Sequence, residues 1–129
     1  MDVVRERVQH AVEAVLDRKG TEVDVLYVAA LTSIADYFII CSGTTERQTQ
    51  AIADAVEERL RTSDQVKPIF IEGQNPGRWI LVDYGDFIVH VFTEECRRFY
   101  ALERLWGDAP NLIGEFSGEP SVAQGNERP

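Results

Sequence analysis

Two aspartates and a histidine stand close together in the stretch GRWILVDYGDFIVHVF, residues 77–92. Asp83, Asp86 and His90 fall within eight positions, and side chains of these types can bind a metal ion or transfer protons. A metal site needs further ligands, but the other histidine, His10, is distant in the sequence, and the cysteines form no cluster. Aspartate is also common at turns for backbone reasons. The pattern therefore favours a turn followed by a packed strand over a metal or proton-transfer site.

The same stretch is typical of a β-hairpin, which assigns each residue to one face of a sheet. With Tyr84 and Gly85 as the two loop residues, Trp79 would lie opposite His90. His90 is then either part of a packed surface or a ligand or base, and we expect the packed role. Trp79 shares its face with polar groups, so we expect partial exposure, which is typical of an interface anchor. The residues of the opposite face are predicted core positions: Ile80, Val82, Phe87, Val89 and Val91.

The turn CSGTTERQ, residues 41–48, is a second candidate site, because it joins an apolar strand to a helix. Helix N-termini bind phosphate, and nucleotidyltransferase active sites begin with a similar turn. That chemistry also needs a pair of carboxylates that hold two metal ions, and no such pair follows the helix. A metal-dependent nucleotidyltransferase-like enzyme, or a nucleotide binder that uses the Gly43-Thr44 turn, therefore remains the alternative function. Capping of the helix by Thr45 explains the turn without a ligand.

The two cysteines offer no nucleophile and no disulfide framework. Cys41 lies in an apolar strand and Cys96 lies beside glutamates, and neither setting activates a thiol. The sequence shows no secretory signal and no apolar run of membrane-spanning length. We expect a soluble cytoplasmic protein with reduced thiols and no contact with membranes.

The hydrophobic spacing predicts a sheet flanked by helices. Apolar residues recur at helical spacing in three segments, and shorter apolar runs lie between turn residues. An order of αββαβββα combines strands joined by a helix with a hairpin, so we predict a single α/β (α+β) domain with a five-stranded mixed sheet. The predicted helices cover 4–19, 44–62 and 93–106, and the predicted strands cover 23–28, 37–41, 67–73, 78–82 and 86–92.

The last predicted helix, EECRRFYALERLW, adds aromatic area near the end of the domain. Arg97 and Arg98 suit a solvated helix face, and Thr93 is the predicted N-cap. Tyr100 and Trp106 could build part of a surface for a partner. Four residues at helical spacing are predicted to form a packing seam: Phe99, Leu102, Leu105 and Trp106.

Composition and charge restrict the class of partner. The chain has 129 residues, 13 Lys and Arg against 22 Asp and Glu, and a formal net charge of −9. Such an acidic protein is poorly suited to nucleic acid and better suited to a basic protein. The segment after Asp108 is rich in glycine and proline and has no periodicity. We therefore predict one domain over 1–108 and a disordered tail over 109–129.

Three stretches together resemble the ribosomal silencing factor family, also called the Iojap-related family: ADYFIICSGTTERQTQAIAD, GRWILVDYGDFIVHVF and RRFYALERLWGDAP. The resemblance extends in order from about Val4 to Asp108. It implies a fold related to nucleotidyltransferases but without their catalytic carboxylates. It also implies a homodimer, no enzymatic activity, and no metal or cofactor.

The resemblance also implies a function in translation. Members are expected to bind the large ribosomal subunit through ribosomal protein L-fourteen, block joining of the small subunit and repress translation when nutrients are limiting. No sequence-specific binding to nucleic acid is expected. The residues expected at the docking surface are Trp79, Tyr84, Asp86, His90, Arg97, Tyr100 and Trp106.

Overall fold

The computed structural model describes residues 2–116, which form one α+β domain built on a five-stranded mixed sheet. The strand order is β1-β2-β5-β4-β3, with β2 and β5 parallel and the other neighbours antiparallel. This architecture confirms the predicted fold class. The strands are β1 (Thr21–Tyr27), β2 (Tyr37–Gly43), β3 (Phe70–Glu72), β4 (Trp79–Asp83) and β5 (Phe87–Thr93).

Helices cover both faces of the sheet, so the domain has two apolar clusters. The larger cluster lies between the sheet, α1, α2 and α5, and it contains all five predicted core residues of the hairpin. The smaller cluster lies on the other face, where residues of α3–α4 and Trp106 pack. Within the described residues, no helix is long and apolar enough to cross a membrane. The helices are α1 (Val3–Asp17), α2 (Glu46–Asp64), α3 (Glu94–Tyr100), α4 (Leu102–Leu105) and α5 (Ile113–Phe116).

The β4–β5 hairpin has a different register from the predicted one. Its loop residues are Gly85 and Asp86, so Trp79 lies opposite Phe92, and His90 lies opposite Leu81. Gly85 has a φ of 90°, and a positive φ at the first position of a two-residue loop gives a favoured hairpin turn. The predicted pairing of Trp79 with His90 is therefore wrong, although the two side chains still share a face.

The predicted boundary at Asp108 is also wrong, because the chain beyond it packs on the domain as far as Phe116. The amide of Tyr27 donates to the carbonyl of Pro110 at 3.0 Å, which covers the free edge of β1. Phe116 is 1% exposed and belongs to the larger apolar cluster. The part of the predicted tail from 117 to 129 lies outside the described residues.

The last predicted helix is broken at Ala101. This residue has a φ of 47°, and its amide closes α3 by donating to the carbonyl of Arg97 at 2.8 Å. Thr93 caps α3 as predicted, because its hydroxyl accepts a hydrogen bond from the amide of Cys96. The break changes the direction of the chain, so that residues after Ala101 return towards the sheet.

Candidate functional site

Four of the expected docking residues meet in an aromatic cluster on the face of the sheet beneath α3 and α4. The ring centroids of Trp79 and Tyr100 lie 4.9 Å apart. The ring centroid of Phe38 lies 5.0 Å from that of His90 and 5.1 Å from that of Trp106. The structure therefore brings together one residue from each of β4, β5 and α3 and one residue that follows α4.

His90 is the buried member of this cluster. Its side chain is 5% exposed, and its Nδ1 accepts a hydrogen bond from the indole Nε1–H of Trp79 at 3.2 Å. Burial lowers the pKa of His90 to about 4, so the imidazole is neutral at physiological pH. This placement agrees with the prediction that His90 is a packed residue, and it leaves too little of the side chain exposed for direct contact with a partner.

The exposed part of the site is apolar, and the sequence predicted Trp79 and Tyr100 as parts of it but not Phe99. Phe99 is 80% exposed and Leu105 is 77% exposed, although both were predicted to lie in a packing seam. The prediction is wrong for these two residues because it assumed one continuous helix, whereas Leu102 and Trp106 do pack against the smaller apolar cluster. Tyr100 is 51% exposed, and Trp79 is half-buried beside it. The ring centroids of Phe99 and Tyr100 lie 5.0 Å apart, and we refer to Trp79, Phe99 and Tyr100 as the apolar surface.

Arg97 lies inside the domain, so its predicted place on a solvated helix face is wrong. Its guanidinium, 7% exposed, pairs with the carboxylate of Asp24 at 2.8 Å and donates to the hydroxyl of Ser42 at 3.1 Å. It also donates to the backbone carbonyl of Glu22. Arg97 thus ties α3 to β1 and β2, and its donors are directed to groups of the chain itself.

Tyr84 and Asp86 lie apart from the aromatic cluster, near the loop of the hairpin. Tyr84 packs against the larger apolar cluster, and its ring stacks on that of Phe87 at 4.9 Å. Burial, reinforced by the nearby charge of Glu57, raises the pKa of the Tyr84 hydroxyl. Asp86 is exposed, and its backbone carbonyl accepts a hydrogen bond from the amide of Asp36 at 2.8 Å. A surface that includes Trp79 and Asp86 would have to extend along the whole length of β4.

The turn that could have held a phosphate is occupied by a side chain of the domain. The Oε1 atom of Gln48 accepts hydrogen bonds from the amide and hydroxyl of Thr44, at 2.7 and 2.9 Å. The hydroxyl of Thr45 caps α2 by accepting from the amide of Gln48 at 3.0 Å. In the described part of the chain, no group of three or more His, Cys, Asp or Glu residues could hold a metal ion.

The chain matches a known family over almost its whole length. The family model described as ribosomal silencing factor during starvation matches residues 2–128. The chain belongs to the ribosomal silencing factor family. The ribosomal silencing factor of Halalkalibacterium halodurans is 42% identical to it over 108 residues, which are 84% of this chain and 92% of that protein.

The chain is also similar to a solved structure and to a eukaryotic protein. A crystal structure of a Chromobacterium violaceum protein has a TM-score of 0.78 and 34% identity, and the match covers 97% of this chain and 95% of that chain. A mouse protein named mitochondrial assembly of ribosomal large subunit protein 1 is 32% identical over 90 residues, which are 66% of this chain and 38% of that protein. The family match also includes the residues after Asp108 that pack on the domain.

Proposed function

We propose that the chain is a translational repressor of the cytoplasm that binds the large ribosomal subunit through ribosomal protein L-fourteen. The bound domain blocks joining of the small subunit by steric exclusion, notably when nutrients are limiting. Membership of the ribosomal silencing factor family supports this function. The name of the mouse relative, which refers to the ribosomal large subunit, supports the choice of subunit.

The apolar surface is the observation that carries the proposal at the level of residues. Phe99 exposes most of its side chain although it belongs to a short helix that also contributes to packing, and its ring adjoins that of Tyr100. Contiguous exposed apolar side chains on a folded domain commonly mark a site for a protein partner. Half-buried Trp79 and exposed Tyr100 are of the types enriched among the residues that dominate binding energy.

Charge supports a basic protein as the partner. The formal net charge of −9 disfavours contact with bare ribosomal RNA, because like charges repel and no counterions are released. Ribosomal proteins are generally basic and offer the complementary charge. We therefore place the contact on a protein of the large subunit and expect no sequence-specific binding to nucleic acid.

Cosedimentation with purified large subunits tests the docking surface. Phe99→Asp should weaken binding about 30-fold or more, because replacing an interface anchor commonly removes about 2 kcal/mol of binding free energy. Val3→Asp is the matched control, since Val3 is 51% exposed but lies on α1, which packs on the other face of the sheet. Addition of the parent protein should also slow joining of the subunits, followed by light scattering. Equal binding by Phe99→Asp and the parent would place the contact elsewhere.

We also infer that the chain is not an enzyme and works as a homodimer without a cofactor. The hydrogen bond from the Thr44 amide to the side chain of Gln48 supports the inference that the chain is not an enzyme. The backbone donor that could bind a phosphate at this turn is already satisfied. Calorimetry with nucleoside triphosphates and Mg²⁺ tests it, and measurable binding at the Gly43-Thr44 turn would favour the alternative function. Sedimentation velocity tests the homodimer.

A further inference from the structure

His90 lies inside the aromatic cluster, where a binding partner cannot touch it. Its side chain is 5% exposed, and the rings of Phe38 and Trp79 lie 5.0 and 6.0 Å from its own ring. A contribution of His90 to docking must therefore act through a neighbouring residue. The neighbour with which it shares a hydrogen bond is Trp79.

The hydrogen bond between these two side chains fixes the state of the imidazole. The indole Nε1–H of Trp79 can only donate, so the Nδ1 atom of His90, 3.2 Å away, must accept. The neutral imidazole then carries its single proton on Nε2. Among the described residues, this Nε2 atom has no hydrogen-bond partner, and it is buried.

The hydrogen bond to Trp79 is what the imidazole provides beyond packing. A phenyl ring of similar shape would fill the same space but could not accept a hydrogen bond. What the imidazole adds to the site is an acceptor at Nδ1. That acceptor is directed to Trp79, which belongs to the apolar surface.

Ring contacts alone define the position of Trp79 less sharply than a hydrogen bond does. The indole stacks on Phe92, with centroids 4.9 Å apart and planes at 28°, and meets Tyr100 at 4.9 Å and 49°. Aromatic pairs are stable in more than one relative orientation, and the χ2 angle of an aromatic side chain has broad minima, so these contacts permit a range of indole orientations. A hydrogen bond is directional, so it selects the orientation in which Nε1 faces His90.

We propose that His90 is a positioning residue that holds the indole of Trp79 in one orientation and so preorganises the apolar surface for its protein partner. This inference rests on the proposed function, because it concerns the same surface. A surface that is already ordered loses less side-chain freedom on binding, and its affinity is correspondingly higher.

Two variants of the full chain separate the acceptor from the ring. His90→Phe keeps an aromatic ring and removes the acceptor, whereas His90→Asn places a carbonyl oxygen near the position of Nδ1. The NMR signals of the two indole N–H groups are assigned with Trp79→Phe and Trp106→Phe. In His90→Phe, the Trp79 indole proton should shift upfield and exchange faster with solvent, and His90→Asn should reverse both changes. An unchanged Trp79 signal in His90→Phe would overturn the inference.

Binding to purified large subunits is then measured for the same variants. His90→Phe should bind about five- to tenfold more weakly than the parent, the effect of losing one hydrogen bond, and His90→Asn should recover most of the affinity. If the parent binds and His90→Phe binds equally well, the positioning role is wrong while the proposed function stands. If the parent does not bind large subunits, the proposed function fails, and this inference fails with it.

A second route applies if His90→Phe does not fold. Replacing Trp79 by 3-benzothienylalanine preserves the shape of the indole, removes its N–H and leaves His90 in place. Weaker binding by this protein supports the positioning role, because the docking ring itself is retained. Binding equal to that of the parent would overturn it.

Discussion

Arg97 supports the proposed binding surface from inside the domain. Its charge is compensated inside the domain by Asp24, which in turn accepts a hydrogen bond from Asn111 at 2.8 Å. A carboxylate of α4, that of Glu103, lies 3.5 Å from its Nε atom. Arg97 therefore fixes α3, which carries Phe99 and Tyr100, relative to the sheet and to the C-terminal segment.

Removal of the Arg97 side chain should destabilise the domain as a whole. Arg97→Ala leaves Asp24 without its cation and the buried hydroxyl of Ser42 without its donor, and loss of one partner of a buried pair costs about 3 kcal/mol. Arg98→Ala is the matched control, because Arg98 is the exposed neighbour on the same helix. Urea denaturation of both variants measures the difference. Equal free energies of unfolding would mean that the internal ion pair is unimportant.

Acid should destabilise the domain through His90. Burial lowers its pKa from 6.5 to about 4, so between these values the unfolded chain binds a proton that the folded chain does not. The free energy of unfolding therefore falls as the pH falls from about 6.5, by up to about 3 kcal/mol once both states are protonated. Urea denaturation across this range checks the effect. His90→Phe should show a flatter pH profile, and a profile parallel to that of the parent would contradict this assignment.

At the scale of elements, local patterns predicted most of the fold. The helix predicted at 44–62 is observed as Glu46–Asp64, and the strand predicted at 37–41 is observed as Tyr37–Gly43. Apolar spacing and the capping side chains of Thr45 and Thr93 are local signals. They depend only on residues that are close in the sequence, so they can be recognised without knowing the fold. The grouping of Trp79 with Tyr100 was expected from the family resemblance, and the structure brings the two rings together.

The errors concern features that distant contacts decide. The register of the hairpin depends on which two residues form its loop, and Gly85 suits either position of that loop. The break at Ala101 places a non-glycine residue at positive φ, which local preference disfavours. Packing of Phe116 against the core has no periodic signal, because α5 has only four residues. The exposure of Phe99 followed from the break and was missed with it.

Truncation tests the C-terminal element. A chain that ends at Asp108 loses Asn111, whose side chain donates a hydrogen bond to Asp24. It also loses Phe116, whose ring centroid lies 4.6 Å from the guanidinium carbon of Arg5. Loss of a buried phenylalanine alone costs about 3–5 kcal/mol. A chain that ends at Phe116 is the matched control, since it keeps both residues. We expect a much lower melting temperature for the shorter chain, and equal melting temperatures would restore the boundary at Asp108.

At the scale of the whole molecule, helices cover the two faces of the sheet to different extents. The face under α1 and α2 contains the larger apolar cluster, and ion pairs on its outer side, such as Arg59 with Glu13 at 2.8 Å, join the two helices. The other face has only short helices, and there the apolar surface is exposed. The net negative charge of the chain affects a partner that approaches either face, because electrostatic interactions extend over longer distances than packing contacts do.

Association with a basic partner should therefore depend on salt. The Debye length falls from about 30 Å at 0.01 M salt to about 10 Å at 0.1 M, so the attraction between a body of net charge −9 and a basic protein is increasingly screened. Stopped-flow mixing with purified L-fourteen protein should show an association rate that falls steeply over this range, while the dissociation rate changes little.

Phe99→Ala is the control for this experiment. The substitution removes apolar contact and no charge, so it should raise the dissociation rate and keep the salt dependence of association. Charge would then govern how often the partners meet, and the apolar surface would govern how long they remain bound. An association rate independent of ionic strength would show that the net charge of −9 has no part in recognition.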